Sequence, residues 1–254
     1  AQHDVMRTSL LPGLLSTLAS NASRREARVR VFEVGRAFRR GPGGIDQPLR
    51  VGGLAWGAAV PEQWGAKARP VDLFDVKADL EAIAHPHPLT TAAAAHPALH
   101  PGRSAAVSIA GVRAGWLGEL HPRLVRRLEL PSAPIAFEVD LAALLARQVP
   151  AGRPVSRLPV VRRDLALVMD ESVPVQALVD ALSAAKPPFV AALRPFDVFR
   201  GGALTSGMKS VAILVLMQDT ARTLTDAEIE QAVESLAATA HREFGATLRS
   251  QDPR

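Results

Sequence analysis

Apolar residues recur at helical spacing in three parts of the chain. The first part begins at Pro12, the second opens at Pro174, and the third follows Thr225 and ends at Gly245. Proline is tolerated in the first turn of a helix, and Thr225 with Glu228 three residues later forms a capping box. Glycine is the commonest residue just past a helix end. We therefore predict a helix in each of these three parts.

Strands are predicted where apolar and polar residues alternate. In the first half, residues 29–38 and 49–59 predict a hairpin around a turn that is rich in Gly and Pro. Residues 73–76 predict a short strand or turn that leads into a helix, and Asp75 is the expected cap of that helix. A short helix is predicted to start at Pro122. Further strands are predicted at residues 105–109, 113–120 and 135–139.

The second half shows a simpler pattern. Strands are predicted at residues 164–169, 189–199, 210–217 and 246–249. Pro195 is expected to form a bulge in the second of them, since proline cannot donate to a ladder. With the last two helices, the order is β-α-β-β-α-β, which is the ferredoxin-like split βαβ motif. This order places both helices on one face of a four-stranded antiparallel sheet and leaves the other face free to meet a partner.

A boundary between two domains is predicted at residues 149–154. This segment contains two prolines and a glycine, a composition typical of linkers. We therefore divide the chain into residues 1–150 and residues 151–254. Both parts mix helices with antiparallel strands, so the predicted fold class is α+β.

Composition narrows the classes of function. The chain has 254 residues, 48% of them hydrophobic, which is enough for a core in each domain. It has no cysteine, which excludes disulfides, thiolate nucleophiles and zinc sites built on Cys and is compatible with a reducing cytoplasm. No run approaches the ~18 apolar residues of a membrane helix. The net charge is +5, and most of the positive charge comes from arginine, whose guanidinium binds phosphate well. This charge is compatible with a polyanionic partner, but an Arg-rich composition without such a partner explains it equally well.

The free face of the second sheet is the first candidate for a binding site. Sheets of this topology bind RNA when basic and aromatic side chains meet phosphate and base. Phe196 and Phe199 are candidates for base stacking, although Phe in a strand is commonly a core residue. The candidate RNA-binding cations all lie near strand ends or in turns, where they are equally compatible with ordinary solvated charges: Arg162, Arg163, Arg200, Lys209, Arg222 and Arg249.

Three other groups of residues are candidates for a site. The first comprises the arginines of the predicted hairpin, of which Arg39 and Arg40 flank its turn; they could grip a phosphate or form a solvated tip. Four histidines, at positions 85, 87, 96 and 100, lack the regular spacing of a zinc site, so no metal is expected there. Asp72, Asp75 and Asp79 suit Mg²⁺ or a general base, but capping of the next helix explains Asp75 better. No catalytic set is visible.

Ten short motifs then identify a family. In the first half they are residues 6–15, 32–38, 74–81, 100–105 and 115–122. In the second half they are residues 163–168, 196–201, 207–212, 222–226 and 244–249. In this order, and over essentially the whole chain, they resemble the beta subunit of bacterial phenylalanyl-tRNA synthetase. Ala78 stands where the family usually has Gly.

The resemblance implies a fold and a role. Residues 1–150 are expected to form part of a class II synthetase-like antiparallel sheet module that is catalytically silent and packs against the alpha subunit. Residues 151–254 are expected to form a ferredoxin-like anticodon-binding domain for tRNA-Phe. The family enzyme is a cytoplasmic (αβ)₂ heterotetramer that uses ATP and Mg²⁺, and its alpha subunit carries the aminoacylation site.

The chain itself is expected to be a C-terminal fragment of such a subunit. No motif 3 with an ATP-binding Arg is found, so the fragment should bind no cofactor, activate no phenylalanine and edit no tRNA. Two alternatives remain. One is a structural module that contacts only protein. The other is a small-molecule enzyme that uses Asp72, Asp75 or the histidines.

Overall fold

The computed structural model describes residues 5–146, 152, 155–202 and 204–249. The chain divides into two compact units, Ala1–Pro150 (unit 1) and Ala151–Arg254 (unit 2). None of the described helices is long and apolar enough to cross a membrane.

Unit 1 is built on a six-stranded antiparallel sheet in the order β1-β4-β8-β7-β6-β5. Its strands, together with the separate β2–β3 ribbon, are β1 (Arg28–Arg36), β2 (Arg39–Gly41), β3 (Gly44–Asp46), β4 (Leu49–Gly57), β5 (Leu89–Ala93), β6 (Leu99–Ile109), β7 (Val112–Leu120) and β8 (Ile135–Asp140). Its helices are α1 (Leu11–Ser23), α2 (Leu73–Ala84), α3 (Pro122–Arg127) and α4 (Leu141–Leu145). Separate apolar clusters, one containing α1 and the other α2, fill the two faces of the sheet.

Helix α1 receives its cap from a distant strand. Leu10 at the N-cap position offers no side-chain acceptor. Instead, one carboxylate oxygen of Glu138 in β8 accepts hydrogen bonds from the Leu10 backbone N–H (2.8 Å) and the Ser9 hydroxyl (2.6 Å). Glu138 is 1% exposed. The Ser9 hydroxyl oxygen in turn accepts from the Leu11 N–H at 3.1 Å, so a local acceptor and the buried Glu138 carboxylate together satisfy the start of α1 and fix it on the sheet.

Helix α2 corrects two of the predictions above. Residues 73–76 are not a strand or turn, because α2 already begins at Leu73. The N-cap is Asp72, not Asp75: its carboxylate accepts from the Asp75 backbone N–H at 3.0 Å. Asp75 accepts in return from the Asp72 N–H at 2.9 Å, which completes a capping box. The helix therefore starts where two carboxylates, rather than one, satisfy its free N–H groups.

Unit 2 has the predicted order β-α-β-β-α-β. Its elements are β9 (Val161–Asp170), α5 (Val175–Ala185), β10 (Val190–Arg200), β11 (Met208–Met217), α6 (Asp226–Phe244) and β12 (Thr247–Leu248). The sheet order is β10-β11-β9-β12, with antiparallel pairing throughout. Register shifts interrupt β10, one of them after Pro195 as expected. Thr225 and Glu228 form the predicted box at α6, and Gly245 ends it with φ of 64°.

The core of unit 2 lies between its helices and one face of its sheet. Alternate residues of β9 and β11 are buried there: Leu165, Leu167, Met169, Val211, Ile213, Val215 and Met217. They join Leu178 and Leu182 of α5 and Leu236 of α6 in one apolar cluster. The ferredoxin-like fold is thus confirmed, with both helices on the same side.

Candidate nucleic-acid interface

The face of the unit 2 sheet that points away from α5 and α6 is called the open face here. Cross-strand register identifies its residues, since directly opposed residues share a face. The open face comprises Arg162, Asp164, Ala166, Val168, Ala192, Arg194, Asp197, Phe199, Ser210, Ala212, Leu214, Leu216, Thr247 and Arg249. Its centre is apolar and partly accessible, as at Ala166, Ala212 and Leu214. Neither helix of unit 2 covers this surface.

Arg249 and Phe199 meet across the open face. The Arg249 backbone N–H donates to the Ala166 carbonyl at 3.0 Å, which continues the pairing of β12 with β9. Its guanidinium carbon lies 5.0 Å from the centre of the Phe199 ring in β10, a cation–π distance. Ser210 lies opposite Phe199 in the register and is only 4% exposed. The open face therefore presents an aromatic ring covered by an arginine.

Arg162 also lies on the open face, but it has a carboxylate partner. Its guanidinium donates to both oxygens of Asp164, at 3.1 and 3.2 Å. This hydrogen bond raises the pKa of Arg162 above its ordinary value. The neighbouring Arg163 is exposed but lies on the opposite side of the sheet, across from Val215, and donates to the Arg162 carbonyl.

Lys209 is not a surface cation, which corrects its place among the RNA-binding candidates. It shares the helix-facing side of β11 with Val211 and is 4% exposed. Its ammonium donates to the carbonyls of Glu171 (2.8 Å) and Val173 (2.6 Å). Lysine is almost never buried without such partners. Lys209 therefore holds the turn after β9 and cannot reach a phosphate without breaking these bonds.

Arg200 and Arg222 are exposed but hold carboxylates of their own unit. Arg200 donates to Glu171 at 3.0 Å. Arg222 forms a two-pronged pair with Glu228, one bond of which measures 2.9 Å. This pair, together with the bonds from Thr225, lowers the pKa of Glu228 to about 2. Both arginines thus lie away from the open face and are engaged in the unit's own structure.

Arg194 is a cation on the open face that sequence reasoning missed. It lies opposite Leu214 and is exposed, and its guanidinium makes no hydrogen bond or ion pair with any described residue. Arg194 lies inside β10, whereas the candidate cations are those near strand ends and in turns. Before the bulge, Arg194 is on the open face, whereas after it Asp197 and Phe199 take that side. Because the bulge reverses the parity, simple alternation from Phe199 assigns Arg194 to the wrong face.

Comparison with known proteins decides the family. Residues 1–141 match the family model described as the phenylalanyl tRNA synthetase beta chain CLM domain. Residues 156–249 match the ferredoxin-fold anticodon binding domain. The chain belongs to the phenylalanyl-tRNA synthetase beta-subunit family.

Curated relatives in the family are much longer than this chain. The phenylalanine–tRNA ligase beta subunit of Chromobacterium violaceum is 50% identical over 249 residues, which are 98% of this chain and 32% of that subunit. The subunit of Aromatoleum aromaticum is 46% identical over 254 residues, again 98% of this chain and 32% of the relative. The chain thus spans about a third of the length of these beta subunits. A pyrrolysyl tRNA synthetase structure from Desulfitobacterium hafniense has a TM-score of 0.39 and 15% identity, covering 55% of this chain and 47% of that one.

The CLM half of the chain is the part that matches the CLM family model, residues 1–141. Of its candidate hairpin arginines, Arg39 and Arg40 lie in the β2–β3 ribbon, and Arg36 is the last residue of β1. Arg39 lies opposite Asp46 and Arg40 opposite Ile45, and both arginines are exposed. Arg36 donates to the Gln47 carbonyl at 2.8 Å.

Two of the candidate histidines of the CLM half, His96 and His100, have local hydrogen-bond partners, whereas Nε2 of His87 is buried without one among the described residues. Nδ1 of His96 accepts from the Ala98 N–H, and its ring lies 4.8 Å from that of Trp116. Burial lowers the pKa of His96. Nδ1 of His100 accepts from the Gly102 N–H. Among the described residues, no three His, Cys, Asp or Glu side chains come together as a metal site.

Proposed function

We propose that this chain is a non-catalytic part of phenylalanine–tRNA ligase. Unit 2 binds the anticodon region of tRNA-Phe, and unit 1 supports the alpha subunit. The whole enzyme, a cytoplasmic (αβ)₂ heterotetramer, uses ATP and Mg²⁺ in aminoacylation, whereas this part binds neither. The observation that carries the proposal is the open face of unit 2, which lies within the residues that match the anticodon-binding family model.

The chemistry of the open face suits single-stranded RNA. A base stacks on an aromatic ring whatever its sequence, and arginine adds a contact to phosphate or to the base plane. Phe199 is 38% exposed, and the Arg249 guanidinium lies against its ring. An incoming base would take the place of this guanidinium on Phe199, and Arg249 would then be released to bind a phosphate. Arg194, which has no carboxylate partner among the described residues, supplies a second charge.

The proposal therefore rests on fewer cations than the sequence suggests. Arg194 and Arg249 lie on the open face and have no described carboxylate partner. Arg162 also lies on the open face, but its guanidinium is paired with the Asp164 carboxylate. We leave Lys209 out of the proposed RNA-binding surface because its side chain is buried. Arg163, Arg200 and Arg222 would contact RNA only beyond the edges of the open face, and we give them a smaller part.

The test is a titration of the chain with tRNA-Phe and with a non-cognate tRNA at two salt concentrations. Wild-type protein is expected to bind tRNA-Phe more tightly, and to bind more weakly as salt rises, because phosphate binding releases counterions. The double variant Arg194→Ala/Arg249→Ala should reduce the salt slope by about 1 for each arginine that meets a phosphate in the wild-type complex. Arg113→Ala is the matched control, since Arg113 is exposed in unit 1 and has no described partner. An unchanged slope in the double variant would remove the open face from the interface.

A module that contacts only protein is the second candidate. The observation that favours it is the bulge of the edge strand β10, where Phe196 is unpaired and 54% exposed. A protein partner would cover such a surface as readily as RNA would. Absence of tRNA binding by the wild-type chain at low salt would select this candidate over the first.

A further inference from the structure

The two units of the chain differ in charge. Residues 1–150 contain 18 Arg and Lys residues against 13 Asp and Glu, whereas residues 151–254 contain 12 of each kind. The whole net charge of +5 therefore belongs to unit 1, and the unit that contains the anticodon-binding family match is neutral overall. Because long-range attraction to a polyanion follows net charge, unit 1 is the part of the chain that attracts a polyanion from a distance.

The arginines of unit 1 are concentrated in one segment. Seven of its 16 arginines lie within residues 24–40, which run from the end of α1 through β1 into β2 and are called the arginine segment here. One of them, Arg30, pairs with Asp79 at 3.1 Å. In contrast to Arg200 and Arg222 of unit 2, the other six form no ion pair with a described carboxylate: Arg24, Arg25, Arg28, Arg36, Arg39 and Arg40. Their charge is therefore available to a partner.

Strand β1 presents its arginines on one side. Val29 packs toward α1, so by alternation Arg28, Arg30 and Arg36 lie on the opposite side. Arg28 and Arg36 are the first and last of the 9 residues of β1, which places them about 26 Å apart at ~3.3 Å per residue. Phe32 lies on the same side, midway between them, and is 77% exposed. Cations in a row around an exposed aromatic ring suit a nucleic-acid strand, because the cations follow the phosphates and the ring stacks on a base.

We propose that the arginine segment binds the phosphate backbone of tRNA outside the anticodon region, and that Phe32 stacks on an unpaired base there. The inference rests on the proposed function, because it adds a second tRNA contact to that of the open face. The chain spans only 32% of a relative's length, and a protein segment from the remainder of such a subunit would have to place carboxylates beside six separate arginines. An RNA strand brings a negative charge with every nucleotide, and its unpaired bases cover Phe32.

The experiment measures binding of the chain to complete tRNA-Phe and to its isolated anticodon stem-loop at several salt concentrations, by fluorescence anisotropy. The double variants Arg39→Ala/Arg40→Ala and Arg28→Ala/Arg36→Ala each remove two cations of the arginine segment. Each is expected to reduce the salt slope for tRNA-Phe by up to ~2, about 1 for each phosphate contact that is lost. The slope for the stem-loop should not change, because this RNA lacks the part of tRNA that the segment binds.

The variant Phe32→Ala tests the uncharged part of the contact. It is expected to weaken binding of tRNA-Phe by at least ~5-fold, the lower limit for losing a stacked base, and to leave the salt slope unchanged. Arg126→Ala/Arg127→Ala is the matched control, since it removes the same charge from unit 1 at two exposed positions in α3. Its salt slope for tRNA-Phe should equal that of wild type. Circular dichroism of every variant checks first that it is folded.

The outcomes separate the inference from the proposed function. If both double variants keep the wild-type slope for tRNA-Phe, or if the control lowers it equally, the arginine segment is not a specific contact and the inference is overturned, while the role of unit 2 stands. If wild type binds neither RNA, the proposed function fails and the inference fails with it. In a complete beta subunit assembled with its alpha subunit, Arg39→Ala/Arg40→Ala should raise KM for tRNA-Phe and leave kcat near that of wild type. An unchanged KM would show that another part of the enzyme covers the segment, which also overturns the inference.

Discussion

Helix α2 in unit 1 and helix α6 in unit 2 begin with the same arrangement of side chains. Each has a capping box, Asp72 with Asp75 in α2 and Thr225 with Glu228 in α6. In each, an arginine three residues before the N-cap binds the second carboxylate of the box: Arg69 binds Asp75, and Arg222 binds Glu228. The two units have different folds, so the shared spacing Arg-x-x-cap-x-x-acid is a local solution to the unpaired N–H groups of a helix start.

Helix α1 differs from both and shows what a helix without a local box requires. Its N-cap residue is Leu10, and its first turn contains no acidic residue. The acceptor comes from Glu138, 128 positions away in the chain. The caps of α2 and α6 therefore need only neighbouring residues, whereas the start of α1 also depends on a carboxylate of β8.

The largest predicted effect follows from this dependence. Glu138→Ala leaves the Leu10 N–H and the Ser9 hydroxyl without their buried acceptor, so we expect unit 1 to lose about 2–4 kcal/mol of its free energy of unfolding. Unit 2 should be unaffected. Denaturant unfolding with probes specific to each unit measures both values. Glu119→Ala is the control, because Glu119 pairs with Arg103, whose side chain is 62% exposed, and we expect the loss to stay below ~1 kcal/mol.

A smaller effect is predicted for the local boxes. Asp72→Ala should destabilise unit 1, and Thr225→Ala unit 2, by about 1 kcal/mol each, the usual cost of losing an N-cap side chain. The same unfolding measurement applies. If the two losses differ by more than about twofold, the shared spacing is not a shared energetic device, and the comparison between α2 and α6 breaks down.

The sequence reveals only part of these arrangements. The box at Thr225 is predictable because a hydroxyl followed by Glu is a recognisable local pattern, whereas the pattern around Asp72 and Asp75 predicts only a single cap. Glu138 carries no local signal, because its partners are fixed only when β8 meets the segment before α1. The role of Glu138 at the start of α1 can therefore be recognised only in the folded structure, not from the sequence pattern.

The same limit applies to the candidate site. The ferredoxin-like order is readable because each element of unit 2 is marked locally, and the ten motifs identify the family. Lys209 could have been placed on the buried side, since it shares its parity with Val211, Ile213 and Val215. Arg194 could also have been placed on the open face, because the bulge expected at Pro195 reverses the parity between Arg194 and Phe199. The cross-sheet contact of Arg249 with Phe199, in contrast, exists only in the folded sheet.

The smallest predicted effect concerns stability at acid pH, and it is the most specific test of the likeness between α2 and α6. The arginine in each arrangement holds a carboxyl pKa at about 2, that of Asp75 through Arg69 and that of Glu228 through Arg222. The unfolded pKa values of Asp and Glu lie near ~4, so each folded value is lowered. The stability from each pair is therefore present above pH ~4 and is lost as pH falls from ~4 toward ~2.

Arg69→Ala should remove this acid-dependent part from unit 1 alone, and Arg222→Ala from unit 2 alone. At pH 7 each variant is expected to lose the same free energy of unfolding that its pair supplies above pH ~4, and this loss should be small because the pairs are largely exposed. The measurement is the free energy of unfolding of each unit between pH 2 and pH 7, with Arg113→Ala as the control. If Arg69→Ala flattened the pH dependence of both units, or of neither, Asp75 and Glu228 would not be the groups that set this pH dependence. The likeness between α2 and α6 would then be one of geometry, without a shared electrostatic consequence.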